Sequence, residues 1–246
     1  MNRDRKFRWL ILAVAAILLL NGCAMLDGLM GKDTELSPDE LMYEGVKNME
    51  RGRYTAATEA FQTIKDRYPY SKYALEAELR LADMLFKREL YDEAFNGYDD
   101  FEKLHPRNAE IPYVIYQKGM CHLEQVSTID RDQSHTLKAK EEFNRLLERF
   151  PKSPHANRGR KKLRECYMHL AEYELYVGHF YYKSKKYQAA INRYLHLIEN
   201  YPDLGQYHEA MIYLNKCREK ISDSEPRGRP EKPESWWKRL TPSFLH

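Results

Sequence analysis

No apolar run in this chain is long enough to cross a bilayer: the stretch from Trp9 to Leu20 holds twelve residues, and a spanning helix needs about 20. No C-x-x-C pair and no Cys/His ligand spacing is present, which removes zinc and thioredoxin chemistry. G-x-S-x-G, H-E-x-x-H and glycine-rich phosphate loops are also missing, and with them the corresponding hydrolase, metalloprotease and nucleotide chemistries. The chain is expected to be no enzyme and to hold no metal or cofactor. From residue 37 onward nothing alternates with the period of two that a strand requires. Net charge is scarce as well. The whole chain carries +3, residues 1–22 account for all of it, and 36 charges of each sign remain, so there is no basic surface for nucleic acid. The paired acids Asp99-Asp100 and Glu141-Glu142 point different ways on a helix and read as solvated faces rather than acid-base pairs.

The N-terminus is distinctive. Arg3, Arg5, Lys6 and Arg8 precede the apolar run, the layout of a signal peptide over residues 1–22. Leu20-Asn21-Gly22-Cys23 resembles the lipobox read by lipoprotein-processing enzymes, which implies cleavage before Cys23 and lipid attachment to it. Several acyl chains would hold such a protein firmly to a membrane. Ala24 stands where an aspartate would signal retention in the inner membrane, so the expected location is the periplasmic face of the outer membrane. Cys121, Cys166 and Cys217 read as small apolar packing residues, with a disulfide between two of them left open in an oxidising compartment.

From residue 37, apolar positions recur at helical spacing, and one five-point pattern recurs four times. Tyr54, Ala57, Phe61, Ile64 and Pro69 are matched by Tyr91, Ala94, Tyr98, Phe101 and Pro106. The third copy is Thr136, Ala139, Phe143, Leu146 and Pro151, and the fourth Tyr187, Ala190, Tyr194, Leu197 and Pro202. The first four members share one helix face. The proline ends each helix at Tyr68, His105, Phe150 or Tyr201. Ser71, Asn108 and Ser153 are placed to cap the following helices, and Ser37-Pro38-Asp39-Glu40 reads as a capping box. A partner helix precedes each copy, over 37–50 with Gly45, 71–87 with Ala82 and 108–125 with Gly119. This helix-turn-helix unit resembles the tetratricopeptide repeat, which buries its apolar face only by stacking.

The expected fold is therefore all α: a tetratricopeptide-repeat solenoid of nine or ten helices, about five helix pairs. A linker over 23–36 leads to a repeat domain over 37–221 that is interrupted by a polar loop from Val126 to His135. The span from Ser153 to Lys186 is long enough for one bent helix or two, and a last helix is expected about Gln206 to Ile221. Residues 222–246 carry Pro226, Pro230 and Pro233 and read as a flexible tail. The tail ends in Ser235-Trp236-Trp237-Lys238-Arg239-Leu240, which suits a membrane interface or a partner's groove and equally a disordered end.

Over nearly its whole mature length the chain resembles the BamD family, the repeat lipoproteins of the outer-membrane β-barrel assembly (BAM) complex. The match rests on Arg67-Tyr68-Pro69-Tyr70, on Tyr113, Val114, Tyr116 and Gly119, and on Asp130-Arg131-Asp132. It extends through Leu170, Ala171, Tyr173, Glu174, Val177, Tyr181 and Tyr182 to Asn192-Arg193 and Tyr201-Pro202. The Trp236-Trp237 tail departs from the better-known members. The resemblance implies a non-catalytic scaffold that promotes folding and insertion of outer-membrane proteins. Its implied partners are unfolded outer-membrane β-barrel proteins, the POTRA-bearing barrel subunit, other BAM lipoproteins and, through its anchor, the outer membrane. By that resemblance Tyr68, Tyr70, Tyr73 and Phe86 lie near the substrate-strand groove and Arg193 near the docking face; as aromatics at helical spacing, the first four are also candidates for core. The competing expectation is a repeat lipoprotein that gathers peptidoglycan enzymes or cell-division proteins.

Overall fold

The computed structural model describes residues 35–126, 128 and 132–224. The signal peptide, Cys23, Asp130, Arg131 and the Trp236-Trp237 tail lie outside the described residues. Among the described residues there are nine α-helices and no strand: α1 (Pro38–Glu50), α2 (Tyr54–Arg67), α3 (Ala74–Lys87), α4 (Tyr91–Leu104), α5 (Ile111–Leu123), α6 (Ser134–Arg149), α7 (Ala156–Lys183), α8 (Tyr187–Asn200) and α9 (Tyr207–Ser224). No described helix is long and apolar enough to cross a membrane. The chain forms two compact units, one ending at Ala77 and one beginning at Glu78.

In the first unit, α1 opens on the capping box. The Glu40 carboxylate accepts from both the backbone N–H and the hydroxyl of Ser37, at 2.9 and 2.7 Å, and these bonds lower its pKa, the hydroxyl's first. Ala57, Phe61 and Ile64 on α2 are fully buried. The Phe61 ring occupies the space beside Gly45 on α1 that a Cβ would need.

That contact recurs in the second unit. Gly119 on α5 receives Phe143 of α6, and Gly178 on α7 receives Tyr194 of α8; the sequence pattern had not singled out Gly178. The pair α3–α4 uses an alanine, Ala82, whose Cβ lies 3.1 Å from where a Cβ on Gly97 would stand. The long segment after Ser153 is one helix of 28 residues, α7, about 42 Å at 1.5 Å per residue. Its first turns pack Gly159 against Leu146 of α6, and its last turns pack Gly178 against Tyr194, so a single helix serves two pairs. Two core clusters result. One joins α3 to α6 and reaches Cys166. The other joins the end of α7 to α8 and α9.

The turns are as regular as the helices. The turns α1–α2, α3–α4 and α7–α8 close by the same two backbone bonds, the one spanning more residues running from the N–H of Arg53 to Asn48 O, of Leu90 to Leu85 O and of Lys186 to Tyr181 O. Each places Gly52, Glu89 or Lys185 at positive φ, 71°, 63° and 59°, the Schellman geometry that favours glycine. After Pro69, Pro106 and Pro151 the chain makes two tight turns before the next helix: Ser71 N–H to Tyr68 O then Ala74 N–H to Ser71 O, with equivalents at Asn108 and Ser153. The helices therefore start three residues later than the cap pattern implied. The Ser71 and Ser153 hydroxyls are buried without a hydrogen-bond partner, so they do not act as the expected caps. Asn108 Oδ1 accepts the Glu110 N–H at 2.8 Å, an Asx turn. The polar loop is shorter than expected because α6 already includes Ser134 and His135. Asp132 organises that start by accepting from the Ser134 hydroxyl and N–H, bonds that lower its pKa, the hydroxyl's first.

Candidate partner-docking site

The C-terminal half of α7 and the outer face of α8 form a charged recess. Glu174 is 5% exposed, and burial of a carboxylate demands a partner. Arg193, on α8, supplies it: Nη1 lies 3.2 and 3.4 Å from the two carboxylate oxygens. His196 Nε2 stands 3.9 Å from the same group. Arg193 is itself half-exposed. Burial works to lower its pKa, but the hydrogen bond and charge of Glu174 outweigh it and the net shift is upward. Arg193 and His196 line an open depression of about 360 Å³ with Tyr181, Ala189 and Asn192. A guanidinium anchored from behind by a buried carboxylate is pre-oriented, so less side-chain entropy is lost when it meets a partner.

The other residues expected at a site lie elsewhere. Tyr68, Tyr70 and Tyr73 occupy the turn between α2 and α3 in the first unit. The Tyr68 hydroxyl donates to the Leu36 carbonyl at 3.1 Å, Tyr73 lies under the Lys72 ammonium at 4.8 Å, and Tyr70 is fully exposed. Phe86 belongs to the second unit, where it packs edge-on against Tyr91 at 5.3 Å beside the first core cluster.

Two polar networks escaped the sequence reading. On α5 a buried lysine, Lys118, reaches Asp99 and, at 3.3 Å, Glu102 on α4 and, at 3.7 Å, Glu142 on α6. Arg145 bridges Glu102 and Glu142, and Arg149 adds a contact to Glu102 at 2.8 Å. Asp99 and Glu142 therefore turn inward, correcting the reading of both acid pairs as solvated faces; only Asp100 and Glu141 are exposed. Burial raises the Glu102 carboxyl, yet Arg145, Arg149 and Lys118 together bring its pKa below the ordinary value. The second network centres on Asp83, which accepts from Tyr98 at 2.7 Å and Tyr113 at 2.6 Å. The signal for the first was a lone lysine in α5, a helix otherwise apolar nearly all round. Cys121, Cys166 and Cys217 are free and fully buried, which closes the disulfide option for these three. Burial pushes the Cys121 and Cys166 thiols up to about 12.

The model of the YfiO family, described as outer membrane lipoprotein, matches residues 34–229. The chain is 32% identical to the outer membrane protein assembly factor BamD of Rickettsia prowazekii over 80% of this chain and 78% of that one. It is 29% identical to the protein of the same name from Caulobacter vibrioides, over 82% and 67%. Among solved structures, a tetratricopeptide repeat protein from Parabacteroides merdae shares 15% identity over 76% and 75% of the two chains, with a TM-score of 0.39.

Proposed function

Because the chain belongs to the outer membrane lipoprotein family of the BamD assembly factors, we propose that it is a non-enzymatic scaffold of the β-barrel assembly complex. In this reading Cys23 carries the lipid that holds it to the periplasmic face of the outer membrane, and the helix pairs present surfaces to other proteins. The recess on α7 and α8 docks the POTRA-bearing barrel subunit. Tyr68, Tyr70, Tyr73 and Phe86 meet the terminal strand of unfolded barrel substrates. The observation that carries the docking half is the half-exposed Arg193 held on the buried carboxylate of Glu174. For the substrate half the support is the exposed Tyr70 ring, which offers apolar area at little entropic cost to a passing strand. A few such contacts at roughly 1.5–3 kcal/mol each give transient holding rather than capture.

The test is a mild-detergent pull-down of the lipidated protein from native membranes, with every co-purifying protein identified. A POTRA-bearing β-barrel as the main partner, lost with Arg193→Ala, supports the assembly reading. Recovery of peptidoglycan hydrolases or division proteins without a barrel protein would overturn it.

A further inference from the structure

From Ala171 to Tyr182 the C-terminal half of α7 is apolar or aromatic except for Glu172, Glu174 and His179, more than a helix covered on one side alone needs. Only one side is covered. Ala171, Glu174 and Gly178 face inward, whereas Tyr176 and Phe180 are 46% and 58% exposed. Tyr173, half-buried, lies on the same outward stripe at helical spacing. Contiguous apolar surface of this kind marks an occupant. Glu172 stands at one end of the stripe and Lys183 at the other, eleven residues away, about 16 Å along the helix.

The chain supplies a segment with the complementary order. Beyond Ser224 it continues for 22 residues that include Glu234-Ser235-Trp236-Trp237-Lys238-Arg239. From Glu234 to Arg239 an extended chain covers about 16 Å, the length of the stripe. The segment also starts from the right place. Ile221, in the last turn of α9, packs in the same cluster as Tyr181 and Tyr182 at the end of α7, and the ten residues from Ser224 to Glu234 can reach roughly 33 Å.

We propose that residues 234–239 of the chain's own tail dock along the outward face of α7, antiparallel to it. In that register Glu234 meets Lys183, the two tryptophans cover Phe180, Tyr176 and Tyr173, and Lys238 and Arg239 meet Glu172. The opposite direction would set like charges against each other at both ends. The docked tail runs beside Tyr181, one of the residues lining the Arg193 depression. The docking itself does not depend on which partner uses the depression.

The test uses the full-length chain in cells with p-benzoylphenylalanine in place of Trp237, photo-activated and mapped by mass spectrometry. A crosslink within one chain to the peptide spanning 172–183 is expected, and its yield should fall several-fold with Tyr176→Ser plus Phe180→Ser, exposed changes whose fold is checked by an unchanged thermal transition. Glu172→Lys should also weaken it, and adding Lys238→Glu and Arg239→Glu should restore it. Crosslinks only to lipid, to another protein or to other parts of the chain would overturn the proposal, as would a yield indifferent to these changes.

Discussion

The two core clusters of the second unit are built on the same repeat yet treat charge in opposite ways. In the first, Lys118 is buried at 5% side-chain exposure among carboxylates from two flanking helices. In the second, the comparable charges stand at the rim: Arg193 keeps 40% of its side chain exposed while only its partner Glu174 is sunk. A charge enclosed on all sides is satisfied within the chain and has nothing left for a partner, and its surroundings fix how the helices register. A charge anchored from behind keeps N–H groups free for recognition. The difference separates an enclosed polar interior from one that leaves a charge at the surface, though both come from one sequence pattern.

The largest expected effect tests the enclosed charge. Lys118→Met leaves Asp99, Glu102 and Glu142 close together with part of their compensation gone, and breaking a buried pair in this way costs about 3–5 kcal/mol. Urea unfolding should show that loss; a loss under about 1 kcal/mol would mean that water already reaches the cluster and the contrast with Arg193 is illusory.

Acid should distinguish the regions next. Burial, aided by Lys138 and His135 and by Lys118 against the opposing Asp92, brings the His122 pKa down to about 4. A histidine whose folded pKa is depressed contributes stability that is complete above its unfolded pKa, about 6.5, and is lost as pH falls toward 4. Stability should decline by on the order of 3 kcal/mol across that window. His122→Gln should flatten the decline measured by thermal melts at stepped pH, and a profile unchanged by the substitution would remove His122 as its cause.

Where the regions share the repeat they should respond alike. Gly119→Ala and Gly178→Ala each drive a Cβ into an aromatic ring, and overpacking of this kind costs about 1–3 kcal/mol. Equal losses in differential scanning calorimetry would confirm one packing rule in both regions; tolerance at Gly178 alone would show that α7 shifts on α8.

The sequence carried the shared rule well and the difference poorly. Alanine, aromatic and proline at fixed offsets are enough to locate Ala57, Ala94, Ala139 and Ala190, all fully buried, because repeat packing is a local, periodic demand. Gly178 escaped because α7 runs through the place where a turn was allowed for, so no boundary flagged the segment that pairs with α8. Lys118 and Asp99 escaped for a different reason. Whether a charged residue faces solvent or another helix depends on neighbours distant in sequence, and Asp99 and Asp100 look alike until α5 and α6 are in place. The family resemblance mixes two signals: Val114, Tyr116, Leu170 and Ala171 are buried and report packing, whereas Arg67, Tyr70, Asp132 and Asn192 are exposed and Arg193 half-exposed.

The smallest effect sharpens the comparison at its centre. Tyr98 and Tyr194 are equivalent aromatics, both fully buried, and a buried phenol needs a partner for its hydroxyl. The Tyr98 hydroxyl donates a hydrogen bond to Asp83, whose side chain is 7% exposed, whereas Tyr194 pairs with His179 at 3.0 Å, whose side chain is 23% exposed and also meets Glu209. Tyr98→Phe removes a bond to a charged, buried acceptor and should cost about 1.5–3 kcal/mol. Tyr194→Phe removes a bond whose more exposed partner can turn to water and should cost about 0.5–1.5 kcal/mol. The ring is retained in both variants, so chemical denaturation reads the hydroxyl alone. A larger loss at Tyr194 would place the demanding polar interior in the second cluster, and with it the enclosed region that the Lys118 network assigns to the first.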